Sequence, residues 1–265
     1  MNPSRPPIVM IHGMYATGQV WERWQGFFQR AGFEVYTPTL RLHDVDPKGP
    51  PPEGLGRLSV AEYVNDLEKF IQGLIEKNQG RKPILFGHSM GGLLAQLLAA
   101  RGHAQAAVLV TPAPPAGINA IKPRPLLTFI RILSRWGFWR KPHRPTRRAA
   151  DFGMFNRLEK DVADVEYGRF VHESGRALFE IVYWWLDGSH AARVDFAGMP
   201  CDLLMLGASD DGTVAPSVVR ATAKRYGSRA TYVELQGHSH FPLCEAGWES
   251  VAQRCLDWLK ERRLA

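Results

Sequence analysis

The stretch LFGHSMGG, Leu85 to Gly92, sets Ser89 between Gly87 and Gly91, directly after the apolar run PILF and directly before GGLLAQLLAA. A G-x-S-x-G turn between strand and helix bends the chain so sharply that side chains at the flanking positions would collide. The helix start then points its free N–H groups at the serine. A serine here can also serve as an ordinary helix cap; the buried-type run before it and the apolar helix after it favour a nucleophile. A hydroxyl attacks only when a histidine takes its proton and an acid orients that histidine. In a strand-turn-helix arrangement of this kind the acid and then the histidine follow the serine along the chain. MLGASDDGTVAP supplies Asp210 and Asp211, and LQGHSHFPLCEAGW then supplies His238 and His240. Upstream, IVMIHGMYATGQVW ends a first strand in His12-Gly13. Such a loop can lend a backbone N–H to a developing oxyanion, beside the N–H of the residue after the nucleophile, so Met14 and Met90 are the expected donors. His12 is expected to brace that loop by hydrogen bonding.

Positioning these residues requires a sheet whose strands all end on the same edge. Six short, nearly all-apolar runs fit strands buried on both faces: Ile8–His12, Glu34–Thr37, Pro83–Phe86, Ala107–Thr111, Asp202–Leu206 and Ala230–Leu235. Between them lie helical stretches, Val20–Ala31, Val60–Asn78, Gly91–Arg101, Pro216–Tyr226 and Gly247–Arg262. In the last, Trp248, Val251, Cys255, Trp258 and Leu259 recur at three- and four-residue steps and lay one face on the sheet. The alternation predicts an α/β class protein with a mostly parallel sheet and helices on both faces. The stretch from Pro112 to Pro200 breaks the rhythm. It opens with proline-rich TPAPPAGINAIKPRP and continues in basic-aromatic helical patterns, so it reads as an insertion above the sheet. The expected organisation is a core of residues 1–111 and 201–265 interrupted by an inserted cap of residues 112–200.

The motifs HGM…VW, GHSMGG, LGASDD with VRATAKRYG behind it, and GHSHFPLCEAGW resemble the α/β-hydrolase superfamily, in particular its bacterial esterase and lysophospholipase-like members. The resemblance spans nearly the whole chain apart from Pro112 to Pro200, and it implies the α/β-hydrolase fold with an inserted helical cap or lid. It also separates the paired candidates. Relatives carry a histidine followed five residues later by an acid; His240 with Glu245 fits, and His238 is left to shape the loop. Counting back from Pro216 through the ungapped match to PSVVRATAKRYG selects Asp211, whereas counting forward from Gly207 would select Asp210. The implied activity is a serine hydrolase that cleaves carboxylic esters, medium-chain, glyceride or lysolipid-like, through Ser89, His240, Asp211 and an acyl-enzyme. The resemblance implies no metal and no organic cofactor.

The cap patterns LLTFIRILSRWGFW and YGRFVHESGRALFEIVYWWLDG suggest an apolar roof from Phe170, Leu178, Ile181, Val182, Trp184, Trp185 and Leu186. Tyr15, His88 and Trp184 are placed on the substrate-binding wall. His43 and Asp44 are expected near the pocket mouth, and His172, Glu173 and Ser174 at the cap surface or in substrate contact. The run Arg140 to Arg148, RKPHRPTRR, is expected to be a solvated loop, with weak contact to an anionic lipid surface as its alternative role. Other chemistries also use such a triad, namely a cofactor-free haloperoxidase or carbon–carbon bond hydrolase. A non-hydrolysing small-molecule binding protein is the reading from a different class.

Bulk properties set the outer bounds. The 265 residues are 45% hydrophobic with a formal charge of +7. No run of about 18 apolar residues suggests a membrane span, and no signal peptide precedes the first strand, so a cytoplasmic protein is expected. The three cysteines lack metal-type spacing and an even count for a disulfide framework. The basic excess comes with no nucleic-acid recognition module, so nucleic acid is not an expected partner.

Overall fold

Six apolar runs become six parallel strands in the computed structural model, which describes residues 5–265. They are β1 (Ile8–Ile11), β2 (Val35–Tyr36), β3 (Ile84–His88), β4 (Ala106–Val110), β5 (Asp202–Ala208) and β6 (Ala230–Leu235), in the spatial order β2-β1-β3-β4-β5-β6. The helices of the core are α1 (Glu22–Arg30), α2 (Val60–Lys77) and α3 (Met90–Ala100). Between β4 and β5 come α4 (Pro123–Leu133), α5 (Arg147–Gly153), α6 (Lys160–Gly168) and α7 (Gly175–Val182), and after β5 come α8 (Pro216–Tyr226) and α9 (Trp248–Glu261).

Strand residues alternate between two apolar layers, as the two-residue period of a strand requires. Val9, Ile11, Leu85, Leu109, Leu203 and Met205 pack with α2, α3 and α8; Ile8, Met10, Phe86, Val108 and Leu204 pack on the other face with α1 and α9. With both faces covered, β1, β3 and β4 are wholly buried. That explains why their sequences carry almost no polar residue.

The chain runs from β1 out to β2, then returns across β1 to start β3. The order reverses between β1 and β3, and such a switch point opens a crevice at the carboxyl ends of the strands. Ile11 pairs with Gly87, so both strands end at the same level and the His12-Gly13-Met14 loop leaves beside Ser89.

Three of the differences from the expected boundaries have local reasons. Strand β3 continues to His88, two residues past the expected end, because Gly87 still pairs with Ile11 and Leu109; the bend waits for Ser89. The expected Val20–Ala31 helix divides into a 3-10 turn, Gly18–Trp21, and α1. Helix α7 ends at Val182, where Tyr183 leaves helical geometry, and Trp184–Leu186 form a separate 3-10 turn. The α7 apolar stripe therefore does not extend to the tryptophans.

Candidate active site

Ser89 stands between the last residue of β3 and the first of α3 with φ 52° and ψ −121°. This conformation is rare for a residue with a Cβ and costs about 1–3 kcal/mol. The neighbouring glycines make it possible. A Cβ at Gly87 would run into the Gly91 carbonyl, and one at Gly91 into the Ile11 carbonyl. The Ser89 N–H donates to the Val110 carbonyl (3.1 Å), while its carbonyl accepts from Gly92 (2.9 Å) and Ala113 (2.8 Å). The backbone is thus clamped by β4 and α3. The Ser89 side chain makes no capping bond to the helix that follows, which leaves its hydroxyl to the cavity above.

His240 is carried by the loop after β6, and its carbonyl ties that loop to the Ser89 turn. It accepts from His88 Nε2 (2.8 Å) and from Thr111 Oγ1 (3.1 Å), on the residues that end β3 and follow β4. His240 Nδ1–H donates to Asp211 Oδ2 over 2.8 Å. The other Asp211 oxygen accepts the backbone N–H groups of Thr213 (2.7 Å) and Val214 (2.8 Å). An ionised carboxylate only accepts, so it holds the His240 proton on Nδ1 and leaves Nε2 as the ring's basic position. Asp210 faces away and accepts from Arg157 Nε (2.6 Å). Glu245, five residues after His240, does not touch it: its buried carboxylate accepts from His238 Nδ1 (2.8 Å) and the Ser239 N–H (2.9 Å), holding the loop from behind. That spacing marks a loop brace.

On the opposite side, the glycine after His12 is pressed against the serine, where a Cβ at Gly13 would lie 2.8 Å from Ser89 Cβ. His12 braces this loop. Its Nε2 accepts from the Leu40 N–H (2.9 Å) and its Nδ1 donates to the Gly13 carbonyl (2.8 Å). Met14 and Met90 both border the cavity beside Ser89. Among the described residues neither of their backbone N–H groups is engaged in a hydrogen bond.

The cavity is apolar. Phe129 and Leu133 of α4, Leu178, Ile181 and Val182 of α7, and Val214 and Val218 close over Ser89, with Thr213 adding a hydroxyl. The inserted segment forms its roof and is pinned to the loops that carry Asp211 and His240, since Thr128 Oγ1 donates to the Gly212 carbonyl (2.9 Å) and Ser239 Oγ to the Met154 carbonyl (2.9 Å).

Comparison with known proteins agrees with this architecture. The profile described as Alpha/beta hydrolase family matches residues 8–253. The chain belongs to the α/β-hydrolase family. A search of the curated proteins finds no match. Among solved structures, the hydrolase is similar to the monoacylglycerol lipase of Paleococcus ferrophilus at 20% identity and a TM-score of 0.68, covering 96% of this chain and 95% of that one. It is also similar to a thermophilic esterase from Thermogutta terrifontis at 19% identity and a TM-score of 0.66, covering 97% and 90%. A pyrethroid hydrolase from Sphingobium faniae JZ-2 matches at 15% identity and a TM-score of 0.69, covering 96% and 97%.

Three residues expected on the substrate wall of this α/β hydrolase lie elsewhere. Tyr15 is buried with its hydroxyl donating to His143 Nδ1 (3.0 Å). His88 is buried behind His240, their rings 4.9 Å apart, and its Nδ1 has no partner among the described residues. Trp184 sits in the 3-10 turn beyond α7, its ring edge against Trp185. Phe170 also leaves the roof and packs on Phe155 and Phe241.

Of the polar residues expected at the mouth and surface, Asp44 is exposed and His172 half-buried, whereas His43, Glu173 and Ser174 form a buried joint between cap and core. Glu173 accepts from Tyr63 Oη (2.8 Å), the Ser174 N–H (2.6 Å) and His43 Nε2 (3.0 Å), while His43 Nδ1 donates to the Arg41 carbonyl (2.9 Å). With an acceptor at each ring nitrogen, His43 is a buried imidazolium paired with a glutamate. Burial opposes both charges, but their attraction and hydrogen bonds win, raising the His43 pKa and lowering that of Glu173.

Three other buried histidines go the opposite way. Burial pushes His12 and His88 down to about 3 and His143 to about 4. Below pH ~6.5 the unfolded chain binds three protons that the native state refuses. Each costs about 1.4 kcal/mol per pH unit, so together they remove about 4 kcal/mol per unit until native His143 titrates. His43 does not offset this limb: both states hold its proton there, and its contribution is lost only as pH rises through its elevated native pKa. Urea unfolding at pH 7, 6 and 5 is expected to show a loss of about 2 kcal/mol over the first unit, where the unfolded histidines are only partly protonated, and about 4 kcal/mol over the second; a flat profile would mean that the native state takes up these protons.

Proposed function

We infer that this α/β hydrolase cleaves carboxylic esters bearing an unbranched apolar chain, of medium-chain, glyceride or lysolipid type, with Ser89 as nucleophile. The observation that carries the reading is the strained Ser89 turn under an apolar roof, tied through the His88 side chain to a loop whose His240 is held by Asp211. His240 Nε2 takes the hydroxyl proton as Ser89 Oγ attacks the ester carbonyl. The Asp211 carboxylate stabilises the imidazolium that forms. The developing oxyanion takes hydrogen bonds from the Met14 and Met90 N–H groups, which no other bond competes for among the described residues. His240 then protonates the leaving alcohol, and water activated by the same ring frees the acid and restores Ser89.

The lining dictates a dependence on chain length. Each methylene that leaves water for the apolar cavity contributes about 0.8 kcal/mol, roughly fourfold in kcat/KM, until the cavity is full. A p-nitrophenyl ester series from acetate upward is expected to climb at about this rate and then level off. Ile181→Phe, which fills the roof, is expected to lower the plateau and move it to shorter chains while acetate turnover stays within about threefold. A fluorophosphonate should add one label per chain, on Ser89. Turnover without labelling of Ser89 would overturn the mechanism, and a series flat in chain length would overturn the substrate class.

A further inference from the structure

Apolar residues line the inner side of α4, but its outer side is apolar as well. Leu127 is 59% exposed and Ile130 44%, and just beyond the helix Trp136 is 86% exposed. Soluble proteins place single hydrophobic residues on the surface without consequence, but a cluster of large ones marks a contact surface. This cluster continues across the cap. Trp136 meets Trp139 (5.3 Å between rings), Trp139 meets Phe179 (6.2 Å), and from there the contacts run through Tyr183 to exposed Trp185. It also reaches the active site. Ile121 and Leu126 line the cavity and are themselves 47% and 41% exposed, so the cavity mouth opens within the patch.

The charge around the patch has one sign. From Lys77 to Ala150 the chain contains no aspartate or glutamate. Exposed Lys122, Arg131, Arg135 and Arg140 surround the apolar residues, and none has an ion-pair partner among the described residues. Most of the rest of the Arg140–Arg148 run is engaged: Lys141 donates to the Trp136 carbonyl (3.2 Å), and of its cations exposed Arg148 alone has no partner among the described residues. Arg144 donates to the carbonyls of Pro47 (2.7 Å) and Tyr167 (2.9 Å), and Arg147 is paired with Asp151 (2.7 Å) and Asp164. Apart from Arg148, the cations available for an anionic surface in this stretch are therefore those beside α4.

We propose that the outer face of α4 with Trp136 docks the protein on the surface of an anionic lipid bilayer. Leu127, Ile130 and Trp136 enter the headgroup–acyl boundary, and the four cations lie at the level of the phosphates. Exposed apolar area combined with unpaired basic side chains is the pairing that interfacial binding uses, each cation being worth about fivefold in partitioning. A neutral apolar protein partner would leave those cations unmatched. Among the described residues no helix is long and apolar enough to cross a membrane, so the contact is peripheral. Docking in this pose points the mouth at Ile121 and Leu126 toward the lipid. The contact itself does not depend on ester chemistry.

The test is co-sedimentation of the full chain with phosphatidylcholine vesicles with and without one-third phosphatidylglycerol, at low and high salt, alongside turnover of a water-soluble short ester. Binding should need the anionic lipid and weaken at least tenfold at high salt. The variant Leu127→Ser/Ile130→Ser/Trp136→Ser should lose at least tenfold in partitioning while its soluble-ester turnover stays intact. Arg131→Glu/Arg135→Glu/Arg140→Glu, which leaves the apolar face untouched, should lose more. Failure of the natural protein to bind anionic vesicles, or equal binding by both variants, overturns the proposal. So does light scattering that shows a dimer dissociated by the serine variant, which would assign the patch to a second copy of the chain. Loss of vesicle binding with ester turnover retained, or the reverse, separates this proposal from the esterase reading.

Discussion

Replacing Ser89 with alanine is expected to lower kcat/KM on a short p-nitrophenyl ester by roughly 10⁴- to 10⁶-fold, with the fold intact. The size follows from what remains. Without Oγ there is no acyl-enzyme, and water must attack a carbonyl held only by the cavity and the two N–H donors, which together leave a small residual rate. Alanine costs the structure little, because Ser89 makes no capping bond to α3. Glycine at the same position separates chemistry from strain. Ser89→Gly loses the same activity, yet glycine accepts φ 52° without penalty, so this variant is expected to exceed Ser89→Ala in unfolding free energy by about 1 kcal/mol or more. Kinetics and urea midpoints on the three proteins check both parts. Equal turnover by Ser89→Ala and the natural protein would sink the nucleophile assignment. A Ser89→Gly variant no more stable than Ser89→Ala would show that the turn stores no strain.

The features most legible in the chain are those whose chemistry is local. Glycines two positions either side of a serine, between an apolar strand and an apolar helix, already announce a tight turn, and each glycine is one that a Cβ would break. The inner strands β1, β3, β4 and β5 were legible because burial on both faces leaves continuous apolar runs. Features that depend on tertiary contact were not. Glu173 and His43 are 130 residues apart and each reads alone as a polar loop residue; only the docking of the cap on α2 encloses them with Tyr63. Trp184 continues the apolar pattern of α7 on paper, but the helix stops at Val182 and the ring packs against Trp185 without lining the cavity. Glu245 is a third case: its spacing singled out His240, but only the backbone turn between them shows that the carboxylate goes to His238 and Ser239.

Asp211→Asn is expected to cost about 10⁴-fold in kcat, and Asp210→Asn less than about threefold. The asymmetry comes from how the two neighbours are held. Asp211 Oδ1 accepts two backbone N–H groups, from Thr213 and Val214, so an asparagine there must keep its carbonyl oxygen toward them. Its amide nitrogen then faces His240 Nδ1 in place of the carboxylate that accepts that ring's proton over 2.8 Å. Two donors cannot share the contact, so His240 shifts its proton to Nε2, the position that must be free to receive the Ser89 proton. The change also removes the negative charge that stabilises the imidazolium. Asp210 has no such role: its side chain meets a half-exposed arginine, Arg157, and breaking an exposed pair of this kind costs at most about 1 kcal/mol of stability. Steady-state kinetics on both variants, with urea midpoints to match folding, measure the difference. A larger loss for Asp210→Asn would move the acid one residue along the loop and force the hydrogen bond between Asp211 and His240 to be read as structural.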